Sequence, residues 1–384
     1  MTVEEADSVP RACPGVYWED EYRVPPRAFR TGVPVFLGFT EKGDCGQAQL
    51  VARYSHFTSQ FGTSPKGAFL EAAVRGFFEN EGRFCYVVRL NQDVALEDSL
   101  GSALTALVAL EEIDLVCAPD LMTAADPVGL QQMVLDHCDQ AANRFAILDS
   151  LPGAALADAL EKQWRVLTGK NAALYYPWVR VSDGAESRAV PPCGHVAGIY
   201  ARTDEQVGVF KAPANETVEG VLDLETSLTS AQQGSADPHG VVNCLRAFPG
   251  RGIRVWGART ISGQHEWKYV NVRRLFLTIS RWAEEFMADV VMEPNTTELQ
   301  GRIRRELNDY LYKLYRSGAL QGASPDEAYY LRCNSRTTSA TDMESGRVVA
   351  EIGFAPVVPN EFIVVRLIHE SGGITLAGPG EPAS

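Results

Sequence analysis

The sequence predicts an α/β protein with some α+β character, in which a layered, mixed α/β domain precedes a C-terminal α/β core domain. Short apolar runs alternate with helical stretches of about 10 to 15 residues in the first half, which is typical of a mostly parallel sheet. Long amphipathic helices dominate the second half. A proline-punctuated start predicts an extended N-terminal segment, which is either disordered or added to a sheet edge. A β-prone run near the C-terminus predicts a strand that either completes its own sheet or pairs outside its chain.

The first half of the chain carries the sheet prediction. Strands buried on both faces appear in a sequence as continuous apolar runs, and five such runs are separated here by helical repeats. The candidate strands are residues 33–39, 84–90, 113–119, 144–149 and 172–176, and the candidate helices lie near residues 65–79, 102–110, 129–142 and 154–167.

Asp120, Asp149 and Ser150 follow candidate strands and are the first candidates for a ligand site. Open α/β sheets bind ligands at the carboxyl ends of their strands, which makes an α/β enzyme one hypothesis. The sequence has no glycine-rich dinucleotide motif, phosphate-binding loop or nucleophile elbow. Aspartate at a strand end is also a common turn or helix-cap residue, so a structural role is favoured for these residues.

Cys193 and His195 stand two residues apart and suggest either a nucleophile with its base or a pair of metal ligands. No further ligand or triad member is recognisable, and the flanking Pro191, Pro192 and Gly194 are typical of a turn. A structural histidine is therefore favoured. We expect no catalytic residue, no cofactor and no metal site.

The composition restricts the classes of partner. The formal net charge is −14, with 49 acidic and 35 basic side chains, which disfavours nucleic acid or an anionic membrane surface as the main partner. The eight cysteines form no Cys-x-x-Cys pair and stand mostly beside apolar residues, as expected for reduced, buried thiols. The first residues do not look like a secretory signal, and no apolar run approaches the roughly 18 residues of a membrane span.

The second half centres on residues 237–294, which open on a turn, continue as a glycine-punctuated β-rich piece and close with an amphipathic helix near residues 271–290. A β segment at 220–228 and a loop at 230–238 are expected before it, and another amphipathic helix near 297–317 after it. The expected organisation is an N-terminal arm over 1–24, a compact α/β domain over 25–200, a C-terminal core domain over 201–368 and a tail over 369–384.

Eight short motifs carry a family likeness, in order along most of the chain. They are Pro14-Gly15-Val16-Tyr17, Val33-Pro34-Val35-Phe36-Leu37-Gly38, Pro191-Pro192-Cys193-Gly194-His195-Val196-Ala197-Gly198, Lys211-Ala212-Pro213-Ala214-Asn215, Asn243-Cys244-Leu245-Arg246, Arg254-Val255-Trp256-Gly257-Ala258-Arg259-Thr260, Tyr269-Val270-Asn271-Val272-Arg273-Arg274-Leu275 and Glu293-Pro294-Asn295. On these motifs the chain resembles the tail sheath proteins of contractile injection systems, which include phage tails, R-type pyocins and, with the strongest likeness, extracellular phage-tail-like injection particles.

The resemblance implies a structural subunit and not an enzyme. Such subunits polymerise as stacked hexameric rings around an inner tube and contract to drive the tube through a target envelope. The implied partners are further copies of the chain, the inner tube protein, baseplate and tail terminator or cap proteins, and paralogous sheath subunits, with no nucleic acid and no membrane insertion. The implied location is the bacterial cytoplasm during assembly, and then a phage tail or a released extracellular injection particle.

Two sets of residues are candidates for assembly contacts. The arms of this family add strands to the sheets of neighbouring subunits, and the matching candidates here are Val16, Tyr17, Tyr22, Phe362, Val364, Val365 and Leu367. We expect a basic face on the helix near residues 271–290 to contact the tube, through Lys268, Arg273, Arg274 and Arg281. Charge reversal at Arg274 and Arg281 is then expected to leave the subunit folded but to uncouple the sheath from the tube. The alternative is that Arg273 and Arg274 form bridges within their own domain.

Two other functions remain open on the sequence. One is an α/β enzyme of the dehydrogenase or hydrolase kind without a recognisable motif. The other is a tail tube or baseplate component, although tube proteins are shorter, all-β in character and without this alternating segment. An enzyme is expected to stay a small, discrete oligomer, whereas a sheath protein forms long cylinders.

Overall fold

An eight-stranded sheet organises the chain up to about residue 260 in the computed structural model. The structure describes residues 30–184, 186–237, 240–334, 336–361, 366–370 and 373–377. The strands of this sheet, in chain order, are β1 Pro34–Gly38, β2 Ala48–Val51, β3 Cys85–Arg89, β4 Leu115–Cys117, β5 Phe145–Asp149, β6 Ala172–Tyr176, β10 Val242–Phe248 and β11 Gly252–Trp256. A three-stranded sheet contains β7 Val179–Asp183, β8 Glu186–Val190 and β9 Asp223–Leu224.

The large sheet is parallel at its centre and antiparallel at both edges. Its spatial order is β11-β10-β6-β5-β4-β1-β3-β2, and only β11 and β2 run against their neighbours. The central strands β1, β4, β5 and β6 are buried along their whole length, as expected for strands covered on both faces. This confirms the predicted α/β class.

Helices cover both faces of the sheet. The helices of this part are α1 Tyr54–Phe61, α2 Leu70–Glu79, α3 Leu96–Leu107, α4 Pro127–Ala141, α5 Leu156–Asp158, α6 Cys193–Gln206 and α7 Ser230–Ala236. The apolar core on one face joins α3 and α4 to strand residues such as Val35 and Leu37. The core on the other face joins α1, α2 and α6 to alternate residues such as Phe36. Successive strand residues therefore enter opposite cores.

Helices α2 and α6 approach each other through glycine. A Cβ atom at Gly194 would lie 2.1 Å from the carbonyl oxygen of Ala73, and one at Gly198 would lie 2.6 Å from that of Phe77. Any larger residue would meet backbone, which has no rotamer to change. The closeness of the two helices therefore depends on these glycines.

The C-terminal part consists of two long helices and small sheets. Its elements are α8 Val270–Ala288, α9 Thr297–Arg316, α10 Pro325–Ala328, β12 Tyr329–Arg332, α11 Ala340–Glu344, β13 Glu351–Phe354, β14 Arg366–Glu370 and β15 Gly373–Ala377. Strands β12 and β13 form one antiparallel pair, and β14 and β15 form another. Helix α9 packs on α8 through a parallel stack of Trp282 and Tyr310, with ring centroids 3.8 Å apart.

Several predicted elements differ from the structure. The large sheet continues past the predicted domain boundary at residue 200, because β10 pairs in parallel with β6. The segment 193–206, expected to begin as a turn, is helical from Cys193 onward, and the expected loop at 230–238 holds α7. Residues 159–164 form a π-helix within the predicted helix 154–167. The expected β segment at 220–228 is a two-residue strand.

A search of the described residues for a membrane-spanning helix found none with the necessary length and apolar character.

Candidate functional site

The first half of α8 is largely buried, and Arg274 lies at its centre. The guanidinium donates to Asp204 at 2.6 Å and to Asp114 at 2.9 Å, and all three side chains are buried. The ring of Tyr200 lies 4.9 Å from the guanidinium carbon. Burial alone would lower the pKa of Arg274, but the two carboxylates outweigh burial and raise it. The cluster joins α8 to α6 and to the loop before β4.

The same cluster holds the chain where it enters the sheet. Asp114 accepts hydrogen bonds from the backbone N–H groups of Gly32, at 3.0 Å, and Val33, at 2.6 Å. Further along the same helix, Arg281 donates to the carbonyl oxygen of Arg30 at 3.3 Å. The root of the N-terminal arm is therefore bound to α8 and to its ion cluster.

A second set of contacts holds the chain where it leaves the C-terminal part. Arg259 donates from Nε to Glu361 at 2.7 Å and from its terminal nitrogen to the other carboxylate oxygen. Lys268 lies 3.5 Å from the same carboxylate, and the Tyr269 hydroxyl donates to it at 3.2 Å. Burial would raise the pKa of Glu361, but the Arg259 bonds outweigh burial and lower it. We call these four residues the exit clamp.

The start of α8 reinforces the exit clamp. The side-chain amide of Asn271 donates to the carbonyl oxygens of Phe210, at 2.8 Å, and Val357, at 3.0 Å. Val357 lies four residues before Glu361, so the chain is held at two points before the C-terminal strands. Because Val357 is bound by a buried amide and Glu361 by the exit clamp, the segment between these two residues has little freedom to move.

Asn243 places Arg259 in the exit clamp. Its amide group donates to the Arg259 carbonyl at 2.7 Å, and its amide oxygen accepts from the Arg259 N–H at 2.7 Å. A Cβ atom at Gly257 would lie 2.8 Å from that oxygen. Several motif residues, namely Asn243, Arg259, Tyr269, Asn271 and Arg274, thus take part in holding the segments that enter the sheet and leave the C-terminal part. Sequence reasoning found the motifs but missed these contacts, although paired polar residues within apolar strands were the available signal.

The predicted tube-facing residues have different surroundings. Arg273 and Arg274 are 3% and 2% exposed, so the predicted basic face is wrong for these two. The alternative of bridges within their own domain is met only in part, because Arg274 binds Asp204 of that domain but also Asp114 of the preceding one. Arg273 donates to Asn171 at 2.6 Å and lies over the ring of Trp267, and burial lowers its pKa to about 10. Lys268 and Arg281 are partly exposed. The exposed charged residues of α8 are acidic, namely Glu284 and Glu285.

The predicted strand-exchange residues fall almost wholly outside the described residues. This applies to Val16, Tyr17, Tyr22, Phe362, Val364 and Val365. Leu367 lies in β14, where its backbone is in register with Leu376 of β15. The expected C-terminal tail over 369–384 thus contains a strand.

Two of the candidate enzyme residues, Asp120 and Asp149, bind backbone N–H groups, whereas the Ser150 hydroxyl and both ring nitrogens of His195 are buried without a hydrogen-bond partner in the described part of the chain. Asp120 accepts from the Phe39 backbone N–H at 2.6 Å and also from that of Phe69. Asp149 accepts from the Cys193 N–H at 2.8 Å and so caps α6, and burial raises its pKa to about 7. His195 is wholly buried, and burial lowers its pKa to about 4. Within the described residues no cluster of metal-ligating side chains was found.

Comparisons with known families assign this architecture. A family model for the phage tail sheath protein central domain matches residues 97–261, and one for the phage tail sheath C-terminal domain matches residues 262–368. The chain belongs to the phage tail sheath family. The family boundary at 261 and 262 also agrees with the end of the large sheet, and not with the predicted boundary at residue 200.

Solved sheath structures resemble the chain over nearly its whole length. The sheath of the PVC extracellular contractile injection system in its contracted state is 26% identical, with a TM-score of 0.77, and the match covers 95% of this chain and 99% of that one. The contracted helical sheath of the anti-feeding prophage is 29% identical, with a TM-score of 0.75, and the match covers 93% of this chain and 99% of that one.

A sequence relative in Pseudomonas aeruginosa (strain UCBPP-PA14) is described as a prophage major tail sheath protein. It is 25% identical over 244 residues, which are 60% of this sheath chain and 60% of the relative. The match therefore spans less than two thirds of this relative.

Proposed function

We propose that the chain is the structural subunit of a contractile tail sheath, which polymerises as stacked hexameric rings around an inner tube and contracts to drive the tube through a target envelope. The observation that carries the proposal is the near full-length likeness to two sheath chains whose particles are contracted. The enzyme hypothesis has no comparable support, because Asp120 and Asp149 are engaged as backbone caps.

The proposed work is mechanical, so it depends on how packing changes and how neighbours stay joined. A gain of about 1–3 kcal/mol per subunit, the usual size of a coupling free energy, is sufficient when many subunits contract together. The links between subunits must survive this movement. Strand addition suits such a link, because main-chain hydrogen bonds give strength while the segment before the strand can change direction.

The small sheet β12–β13 supports this arrangement. It is two-stranded in the described part of the chain, so each strand has one edge without a partner strand there. A two-stranded sheet is marginally stable alone and gains from further strands. We infer that this sheet accepts arms from neighbouring copies, while the contacts of α8 hold the roots of the subunit's own arms.

Deletion of residues 1–20 is expected to abolish sheath formation while the subunit stays folded. The measurement is negative-stain microscopy of the purified chain, in which the intact chain is expected to form hollow cylinders and the deletion variant none. Circular dichroism of the variant checks its fold. Cylinders of normal yield and diameter from the deletion variant would contradict arm exchange. An intact chain that stays a small oligomer at every concentration would contradict the sheath function.

Glu361→Gln is expected to loosen the exit clamp. The change keeps the side-chain shape but removes the charge that Arg259 and Lys268 bind, at a local cost of about 1–2 kcal/mol for a partly buried charged hydrogen bond. Hydrogen exchange of the backbone amides near Val357 is expected to become faster by about tenfold. Glu351→Gln, on the exposed side of β13, is the matched control. Equal exchange in both variants would show that the clamp does not hold the arm.

The remaining partners are also proposals. An inner tube, baseplate proteins, tail terminator or cap proteins and paralogous sheath subunits fit a sheath of this family. Lys268 and Arg281 remain candidates for tube contact, because both keep exposed surface. Assembly in the bacterial cytoplasm, followed by incorporation into a phage tail or a released particle, is consistent with this role.

A further inference from the structure

The hairpin formed by β10 and β11 carries three arginines at one edge of the large sheet. Arg246 lies directly opposite Arg254 in the antiparallel register, so both side chains belong to the same face. Arg251 lies in the turn between the strands. Like charges directly opposite each other destabilise a strand pair, so this arrangement needs a compensating partner.

The described part of the chain does not supply that partner. Arg246 is only 9% exposed, donates to the Ser230 hydroxyl at 2.9 Å, and has a buried Nε without a hydrogen-bond partner. Arg251 and Arg254 bond to the side chain and carbonyl oxygen of Asn215, and no carboxylate forms an ion pair with any of the three among the described residues. In a chain of net charge −14, three arginines without a carboxylate partner at one end of the sheet are unexpected.

Two aromatic rings complete this surface. Phe248 and Trp256 lie with ring centroids 4.6 Å apart, and the guanidinium of Arg246 lies 5.1 Å from the Phe248 ring. Trp256 is 37% exposed. Tryptophan and arginine are the residues that most often dominate binding energy at protein interfaces. We call the surface of Arg246, Phe248, Arg251, Arg254 and Trp256 the arginine–aromatic patch.

The charge of the patch restricts the geometry of its contact. A twofold contact centred on the patch would place like charges against each other, so a partner surface that carries carboxylates fits the patch better. The C-terminal end of α8 offers such a surface, since Glu284, Glu285 and the capping residue Asp289 are exposed and form no ion pair with described residues. A contact between two different surfaces of one chain repeats from copy to copy and generates rings or helices.

We propose that the arginine–aromatic patch of one subunit binds the acidic face of α8, formed by Glu284, Glu285 and Asp289, on a neighbouring copy. This rests on the proposed polymeric sheath and adds a side-chain contact to the main-chain links of the arms. The carboxylates of the neighbour neutralise the guanidinium groups, and the aromatic rings exclude water from the charged hydrogen bonds.

The test is a charge-swap series in the full chain, with assembly followed by sedimentation and negative-stain microscopy. Arg251→Glu with Arg254→Glu is expected to raise the concentration needed for cylinders at least tenfold. Glu284→Arg with Glu285→Arg is expected to raise that concentration by a similar factor. All four changes in one chain are expected to restore assembly. The matched control for the arginine variant is Arg83→Glu with Arg165→Glu, which makes the same change in net charge at two exposed arginines that pair with Glu205 and Glu161.

Three results would overturn the proposal: normal assembly of the patch variant, normal assembly of the α8 variant, or no restoration by the combined changes. Thermal unfolding of each variant separates loss of contact from loss of fold. If only the proposed contact is wrong, the unchanged chain still forms cylinders and the sheath function stands. An unchanged chain that never polymerises would reject the sheath function and this contact with it.

Discussion

Arg274→Met is expected to destabilise the subunit by about 3–5 kcal/mol. The change removes the partner of two buried carboxylates, Asp204 and Asp114, and the cost of leaving such charges unpaired is of this size. Because domains are commonly stable by only about 5–15 kcal/mol, this loss is expected to remove a large part of the stability of the subunit. Urea denaturation followed by tryptophan fluorescence, at concentrations below assembly, measures the loss.

A surface ion pair provides the control for this prediction. Arg302 pairs with Glu293, and both side chains are about two-fifths exposed. Arg302→Met is expected to cost less than about 1 kcal/mol. If Arg274→Met were as stable as this control, the buried cluster would not hold the two parts of the subunit together. Charge reversal at Arg274, first expected to spare the fold, is now expected to prevent folding.

Gly194→Ala is expected to be the second most damaging change, at about 1–3 kcal/mol or more. The new methyl group would meet the backbone of Ala73, so α6 must move away from α2. That movement would also disturb the cap between Asp149 and the start of α6. Thermal unfolding of the subunit, with circular dichroism as the signal, measures the effect.

Gly301→Ala in α9 is the matched control for Gly194→Ala. No atom lies within 4 Å of the position that its Cβ would occupy, and alanine favours a helix over glycine by about 1 kcal/mol. This control is therefore expected to raise stability. A Gly194→Ala variant that is equally stabilised would show that the two helices are not tightly apposed.

The predictions that succeeded depend on local periodicity. The strands β1 and β3 to β6 lie within the predicted apolar runs, and α8 and α9 begin within one residue of their predicted starts. A buried strand or an amphipathic helix is encoded by its own side chains, so a short window suffices. The segment from Cys193 differed because its two preceding prolines suggested a turn, whereas Pro192 directly precedes the helix.

The predictions that failed depend on distant residues. Helical periodicity alone assigned Arg274 to an exposed basic face, but its partners lie 160 and 70 positions away along the chain. The domain boundary failed for a similar reason, since β10 joins the sheet by pairing with β6 across three intervening strands in the sequence. Neither contact leaves a pattern within a short window of sequence.

The segment that enters the large sheet and the segment that follows β13 are both attached to α8. Asn271, which holds the exit segment, and Arg281, which holds the entry segment, are ten residues apart, or about 15 Å along the helix. A force between the two arms would therefore be transmitted in part along α8. The sheet belongs to the same connection, because Gly32 and Val33 lead directly into β1 and are bound by Asp114, which precedes β4 and pairs with Arg274.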